Sequence, residues 1–494
     1  MEDKERKLVR KKKNEIDMVN GPILKKMLLF TFPIMLSSIL QILFNAADVI
    51  IVGRWAGDTS LAAVGATTSL INLLTNMFIG LSIGANVLVA KFFGARKYDQ
   101  LNDAVHTSIT LSLISGAILA VIGIVLAAPL LTLMQTPSTV LGLAVVYLRI
   151  YFLGMPAMML YNFGSAILRA KGDTKRPLYF LTVAGVINVV LNMFFVIKLD
   201  MNVAGVAAAT AISQYLSAGA ILFCLMREEE ESGLKLHLNK LTIHRNQFKT
   251  IMQVGLPAGL QGTLFSVSNV IIQASINSFG DVVVAGNAAA GNIENFVYFA
   301  MNAFYQAAIS FTSQNVGAHK YERVNAICIR SVACATVTGL VLGVLAFTFG
   351  ETLLGIYTTS DAVIDAGMRR LAIVCTTYAI CGIMDTMVGV LRGLGYSVMP
   401  MIVSLVGACA LRLVWIATFF QLEAFHTPTG VYMSYPVTWA ITAATHIVCY
   451  IIVYRKIMEK QRRMAAGEVY QDIVGPSVKM PKFINRILRK LRRR

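Results

Sequence analysis

Apolar runs alternate along this chain with short polar turns, and most of the runs are longer than the ~20 residues a helix needs to cross a bilayer. The first, Met27 to Gly53, reads MLLFTFPIMLSSILQILFNAADVIIVG, with Pro33 near its start and a single carboxylate, Asp48. None of the runs shows the ~10-residue alternation of a membrane barrel, so the pattern predicts helices. Twelve are expected, at about 27–53, 60–90, 104–130, 138–168, 178–199, 203–226, 250–278, 282–313, 325–350, 362–391, 398–421 and 430–456. Arg96 and Lys97, then Lys171, Lys175 and Arg176, then His319, Lys320 and Arg323, then Arg392 fall in alternate connections, while 129–138 and 279–282 carry little or no positive charge. The positive-inside rule therefore places those basic connections and both termini in the cytoplasm.

The second half repeats the first. Gly94-Ala95-Arg96-Lys97-Tyr98 returns as Gly317-Ala318-His319-Lys320-Tyr321, Leu168-Arg169 as Leu391-Arg392 and Pro177 as Pro400, each 223 positions on. Leu43-Phe44-Asn45-Ala46-Ala47-Asp48-Val49-Ile50-Ile51 returns as Leu264-Phe265-Ser266-Val267-Ser268-Asn269-Val270-Ile271-Ile272, and Pro33 as Pro257. The carboxylate of the first copy is an amide in the second. Each copy has an even number of helices, so the halves are parallel and enclose a cavity. The expected divisions are a basic cytoplasmic N-terminus (1–26), a six-helix lobe (27–226), a cytoplasmic linker (227–249), a second six-helix lobe (250–456) and a basic cytoplasmic tail (457–494). In the tail, Phe483, Ile484, Ile487, Leu488 and Leu491 share a helical face, as in a basic helix lying on an anionic leaflet.

Composition agrees. The 494 residues are 56% hydrophobic and 14% charged, and mean hydropathy is +0.65. The net charge of +18 gathers in tails and alternate connections, so it marks topology rather than nucleic acid. The seven cysteines show no metal or redox spacing and read as reduced packing residues. The run Glu228 to Glu231 in the linker reads as a solvated helix end. His446 reads as a hydrogen-bonded packing histidine or a proton relay.

Asn45 to Gly53, the Gly94-to-Tyr98 connection and Leu391-Arg392-Gly393-Leu394-Gly395, in this order and spacing, resemble bacterial multidrug and toxic compound extrusion (MATE) transporters across residues 20 to 456. The resemblance implies an all-α membrane protein of twelve transmembrane helices in two pseudo-symmetric six-helix lobes. It also implies alternating access and export of organic cations or drugs against a proton or sodium gradient. The family's cation-coupling residues fall on Asp48, Asn188, Asn192 and Thr210. Many relatives have aspartate where this chain has Asn192. One carboxylate with two amides and a hydroxyl suits a monovalent cation, and Asp48 alone suits a proton, so both coupling ions stay open. No cofactor or metal beyond that ion is expected. For Asp48 the simpler alternative is a structural hydrogen bond to a neighbouring helix.

The second lobe lacks the seventh-helix glutamate of some relatives; Gln261 to Phe265 holds no acid. Its intramembrane charges are Glu294, Asp385 and Arg412. These are candidates for substrate contact, and Asp385 and Arg412 are also expected to pair across adjacent helices. The chain is expected to act as a monomeric, multi-pass cell-membrane antiporter in contact with lipid, with small, mostly cationic substrates and no nucleic-acid partner. The alternative is a lipid-linked oligosaccharide flippase of the same superfamily, whose anionic pyrophosphate would need several arginines and lysines. Only Arg149 and Arg412 stand out as mid-membrane cations. No phosphate-cradling Gly-x-x-x-x-Gly-Lys-Ser/Thr sequence and no metalloprotease-type His/Glu motif is present, so neither an ATP-driven pump nor an enzyme is expected.

Overall fold

The computed structural model describes residues 15–466, and among them there is no strand. Twelve rods cross the molecule. The first lobe holds α1 (Ile23–Ile51), α2 (Asp58–Gly94), α3 (Tyr98–Leu133), α4 (Ser138–Leu153 and Met155–Lys171), α5 (Lys175–Met193) and α6 (Asn202–Met226). The second holds α7 (Arg245–Asn277), α8 (Asp281–Gly317), α9 (Tyr321–Thr348), α10 (Asp361–Arg370 and Tyr378–Gly393), α11 (Val398–Ser404 and Leu411–Ala417) and α12 (Pro428–Ala465). Eight rods are long and apolar enough to cross a membrane, and α4 and α10 qualify as pairs bent by 45°. α7 and α8 have 33 and 37 residues but are more polar. Their Gln261, Ser310, Gln314 and Asn315 are buried between helices instead of facing outward. The outer faces are apolar, as at Phe32 of α1, Val121 and Val125 of α3, and Val183 and Val190 of α5.

Four short π-helical turns interrupt the rods: Val52–Ala56 after α1, Phe194–Lys198 after α5, Leu371–Cys375 in α10 and Leu405–Ala410 in α11. Such turns recur at functional sites because the extra residue re-aims the side chains beside it. Here they adjoin Asn192, Arg370 and Arg412.

The lobes meet along a seam of glycines in the half of the molecule nearest the basic connections. A methyl group on Gly80 of α2 would lie 2.2 Å from the backbone nitrogen of Gly259 of α7. One on Gly317 of α8 would lie 1.9 Å from the carbonyl oxygen of Lys91. Backbones this close leave no room for a Cβ, which only glycine permits. Polar bridges reinforce the seam: Ser310 donates to Asn86 (3.1 Å), and Gln314 donates to the carbonyl of Ala170 (2.6 Å). Toward the opposite face, Gly65 and Gly291 meet nothing within 4 Å.

Residues 15–21 form a strap over the seam on the basic face. Glu15 pairs with Lys171 (2.5 Å), and the Ile16 amide donates to the Gly172 carbonyl (3.2 Å) in the first lobe. Asn315 donates to the carbonyl of buried Met18 (3.0 Å), Lys320 to Asn20 (2.6 Å) and Arg323 to the Gly21 carbonyl (3.0 Å) in the second. α1 continues this bridging. Phe30 meets Phe311 of α8 edge to face at 5.6 Å, while Phe44 rests on Gly185 of α5. Pro33 lies between these two contacts.

Three charged residues read as belonging to solvated connections are buried. Arg392 closes α10 and donates to Tyr305 and Gln261 (2.9 Å). Lys171 and Glu228 pair at 2.9 Å, and Arg176 adds a second bond to Glu228 at 2.6 Å. Burial favours the neutral form of Glu228, but Lys171 and Arg176 outweigh it and hold the carboxyl below its ordinary range. The acidic run is therefore anchored at its first residue, because two cations from neighbouring helix ends converge there. The proposed tail helix at 478–494 lies outside the described residues.

Candidate functional site

Asp48 is on the last turns of α1, Asn188 and Asn192 one turn apart on α5, and Thr210 on α6. The fold brings all four together. Asn192 Nδ2 donates to Asp48 Oδ1, Thr210 Oγ1 lies 3.4 Å from Asp48 Oδ2, and Asn188 Nδ2 lies 3.4 Å from Thr210 Oγ1. Asn192 Nδ2 also lies 3.4 Å from Asn188 Oδ1. α5 presents both amides inward because its apolar face, with Val183, Val186 and Val190, is turned outward. No ion pair reaches Asp48 among the described residues. The Oδ1 of Asn192 is buried without a hydrogen-bond donor. Carboxylate, amide and hydroxyl oxygens thus face one another with no basic side chain to neutralise them, a donor set suited to a hard monovalent cation or a proton. Tyr147 and Tyr151 of α4, stacked at 5.9 Å, stand within electrostatic reach of Asp48. Their spacing of four in an apolar run was the sequence signal for them.

The second-lobe candidates are arranged differently from the expectation. Asp385 and Arg412 do not pair. At ~1.5 Å per residue they enter their helices at depths ~8 Å apart. Asp385 faces Tyr298 of α8 and Arg392, two turns along its own helix. Arg412 lies 4.0 Å from the ring centre of Tyr435 and 3.4 Å from Thr438 Oγ1, both on α12. Glu294 is held by Arg370, unrecognised in the sequence, through two bonds of 2.7 Å. Arg370 also donates to Asn287 at 2.6 Å, and Asn287 to Gln273 at 3.0 Å. Its sequence signal was the Arg369-Arg370 pair immediately before the apolar run that begins at Leu371. His446 meets Ser404 at 3.0 Å. Arg149 is exposed at the outside of the first lobe, donating to the Ile124 carbonyl at 3.2 Å.

Comparison with known proteins decides the family. The MatE family matches residues 33–194 and 257–417, one stretch in each repeat and together more than half of the chain. The chain belongs to the MatE family. This MatE chain is 26% identical over 466 residues to "Probable multidrug resistance protein YoeA" of Bacillus subtilis, covering 92% of this chain and 98% of that one. It is 20% identical over 433 residues to "Multidrug export protein MepA" of Staphylococcus aureus, covering 87% and 94%. Among solved structures, a MATE transporter in complex with MaL6 superposes with a TM-score of 0.82 at 21% identity, covering 89% and 98%. A MATE family transporter solved in an outward-facing conformation also superposes at 0.82 and 21%, with the same coverage. The fold is thus that of MATE transporters, and the MatE chain is a multi-pass membrane transporter, not an enzyme.

Proposed function

We propose that this chain is a secondary active exporter of small organic, mainly cationic compounds, driven by antiport of H+ or Na+ at the Asp48 site. The observation that carries the reading is the unpaired Asp48 carboxylate, ringed by Asn188, Asn192 and Thr210. A group that must bind and release a cation in turn cannot be locked to a resident lysine or arginine. The names of the relatives, multidrug resistance and multidrug export, support the cargo class. The basic face belongs in the cytoplasm with both termini, and the cell membrane is the setting. The lobes, closed there by the seam, open toward the other side. Alternating access exchanges this seam for its counterpart. The charge balance supports an exporter over a pyrophosphate flippase, since Glu294 neutralises Arg370, Arg149 of the first lobe is exposed, and Arg412 is the one buried arginine of these three without an acidic partner among the described residues.

The test is ethidium efflux from proteoliposomes under an imposed proton or sodium gradient, for wild type and Asp48→Asn. Efflux should follow one gradient in the wild type and fall at least about tenfold in the variant, since a charge-dependent contact is worth ~1.4 kcal/mol or more. Gradient-driven efflux that survives in Asp48→Asn would overturn the coupling assignment. One monovalent cation entering down ~100 mV supplies ~2.3 kcal/mol, enough for a roughly 50-fold accumulation of a neutral solute.

A further inference from the structure

The repeat lets the Asp48 site be mapped onto the second lobe. Asp48 corresponds to Asn269. Pro177 and Pro400 put Leu411 opposite Asn188, with Arg412 beside it. Gly205-Val206 recurs as Gly430-Val431, which sets Thr210 opposite Tyr435. The carboxylate of Asp48 is thus replaced by the neutral Asn269, and a cation, Arg412, enters one position beyond the counterpart of Asn188, next to Tyr435, the counterpart of Thr210.

Arg412 is 4% exposed. Tyr435 covers one face of its guanidinium, Thr438 accepts one weak bond, and Nε has no partner. The other groups near it are Cys409, Cys381 and Tyr378. None is a carboxylate. The same Tyr435 ring has a second guanidinium, Arg370, 5.6 Å from its centre, and Arg370 already holds Glu294 in a two-bond pair. Two arginines thus share one tyrosine, with one acid between them. The hydroxyl of fully buried Tyr432, whose ring also lies 5.6 Å from Arg370, lacks a partner too. Burying a guanidinium with open donors and no counter-charge is costly, and charges held this way within a membrane mark ligand sites.

We propose that the second lobe binds the carboxylate of an aromatic monoanion at Arg412. The surplus is a single positive charge, which matches a monocarboxylate and not a dianionic phosphate. The planar fork of arginine, open at Nε, suits two parallel bonds to carboxylate oxygens. Around it stand aromatic rings: Trp439 lies 5.3 Å from Tyr378 and 5.5 Å from Tyr435. These can stack on a flat ring. For its role in export the proposal rests on the transporter reading: cargo with both an amine and an aromatic carboxylate would satisfy both lobes at once. Binding itself does not depend on that reading.

The chain supplies its own reporter. Of its three tryptophans, Trp415 and Trp439 are in the second lobe, and only Trp55 is in the first. In full-length Trp55→Phe protein in nanodiscs, quenching of tryptophan emission is titrated with 2-naphthoate, the uncharged 2-naphthamide and phenyl phosphate. Naphthoate should bind at least about tenfold more tightly than naphthamide. Arg412→Gln should erase that preference, and Arg412→Lys should keep part of it. Equal binding of naphthoate and naphthamide to the Trp55→Phe protein overturns the proposal without any change at Arg412. Tighter binding of phenyl phosphate overturns the carboxylate assignment. Loss of naphthamide and naphthoate together in Arg412→Gln overturns it in favour of a packing role. Ethidium efflux by the wild type reports separately on the exporter reading. Its absence beside intact naphthoate preference would sink that reading and leave the carboxylate site standing.

Discussion

Two buried ion pairs make opposite demands on their residues. Arg370 and Glu294 satisfy each other inside the second lobe, so removing one strands the other. Arg370→Gln should lower stability by about 3–5 kcal/mol, seen as a large drop in thermal-shift midpoint, and adding Glu294→Gln should recover much of it. Glu228 is held below its ordinary range by Lys171 and Arg176, so its contribution is present at neutral pH and is lost as pH falls through the glutamate range. Glu228→Gln should therefore destabilise the protein at pH 7. The gap from wild type should shrink as pH falls below the ordinary glutamate range, where wild-type Glu228 takes up its proton. At this scale Asp48 was legible as the single carboxylate in an apolar run, whereas Asn188, Asn192 and Thr210 were reached only through the family resemblance. Partnership was less readable. Asp385 and Arg412 invited pairing, yet depth along the bundle separates them, and Glu294 found a different arginine. The π-helical turns beside Arg370 and Arg412 re-aim these side chains, and the apolar pattern does not encode such turns.

The elements show why two rods bend where uninterrupted helices were expected. In α4 the break falls at Gly154, with Pro156 opening the second piece. In α10 it falls at Thr376 and Thr377, whose hydroxyls donate back to the carbonyls of Ala372 and Ile373 at 2.6 Å. Side chains that bond back one turn bend helices. Glycine and proline announce such a break in sequence, whereas paired threonines do so faintly. The strap at residues 15–21 was read only as the end of a basic leader, since its grip consists of backbone carbonyls and short polar contacts. Because it joins both lobes, removing residues 2–20 should loosen the seam. Hydrogen exchange, followed by mass spectrometry, should then rise at least about tenfold at Lys91–Gly94 and Gln314–Gly317. Unchanged exchange would mean that the glycine contacts hold the face shut unaided.

At the scale of the molecule, the duplication was the most legible feature. Equal offsets at three motifs point to two parallel lobes, and the matched family stretches begin at Pro33 and Pro257, the equivalent prolines. Less legible was that the copies have diverged in charge, one interior holding a free carboxylate and the other a surplus arginine. The seam has a consequence for how the chain tolerates change. Gly80, Gly84, Gly94, Gly259 and Gly317 each face backbone closer than 2.5 Å to where a Cβ would go. A mutational scan scored on drug survival in growing cells should show these five positions rejecting even alanine, while Gly142, Gly219 and Gly355, with nothing within 4 Å, accept it. The forbidden sites would trace one line between the lobes, so that the line along which the proposed alternating access parts them is also the line along which the sequence has least freedom to drift.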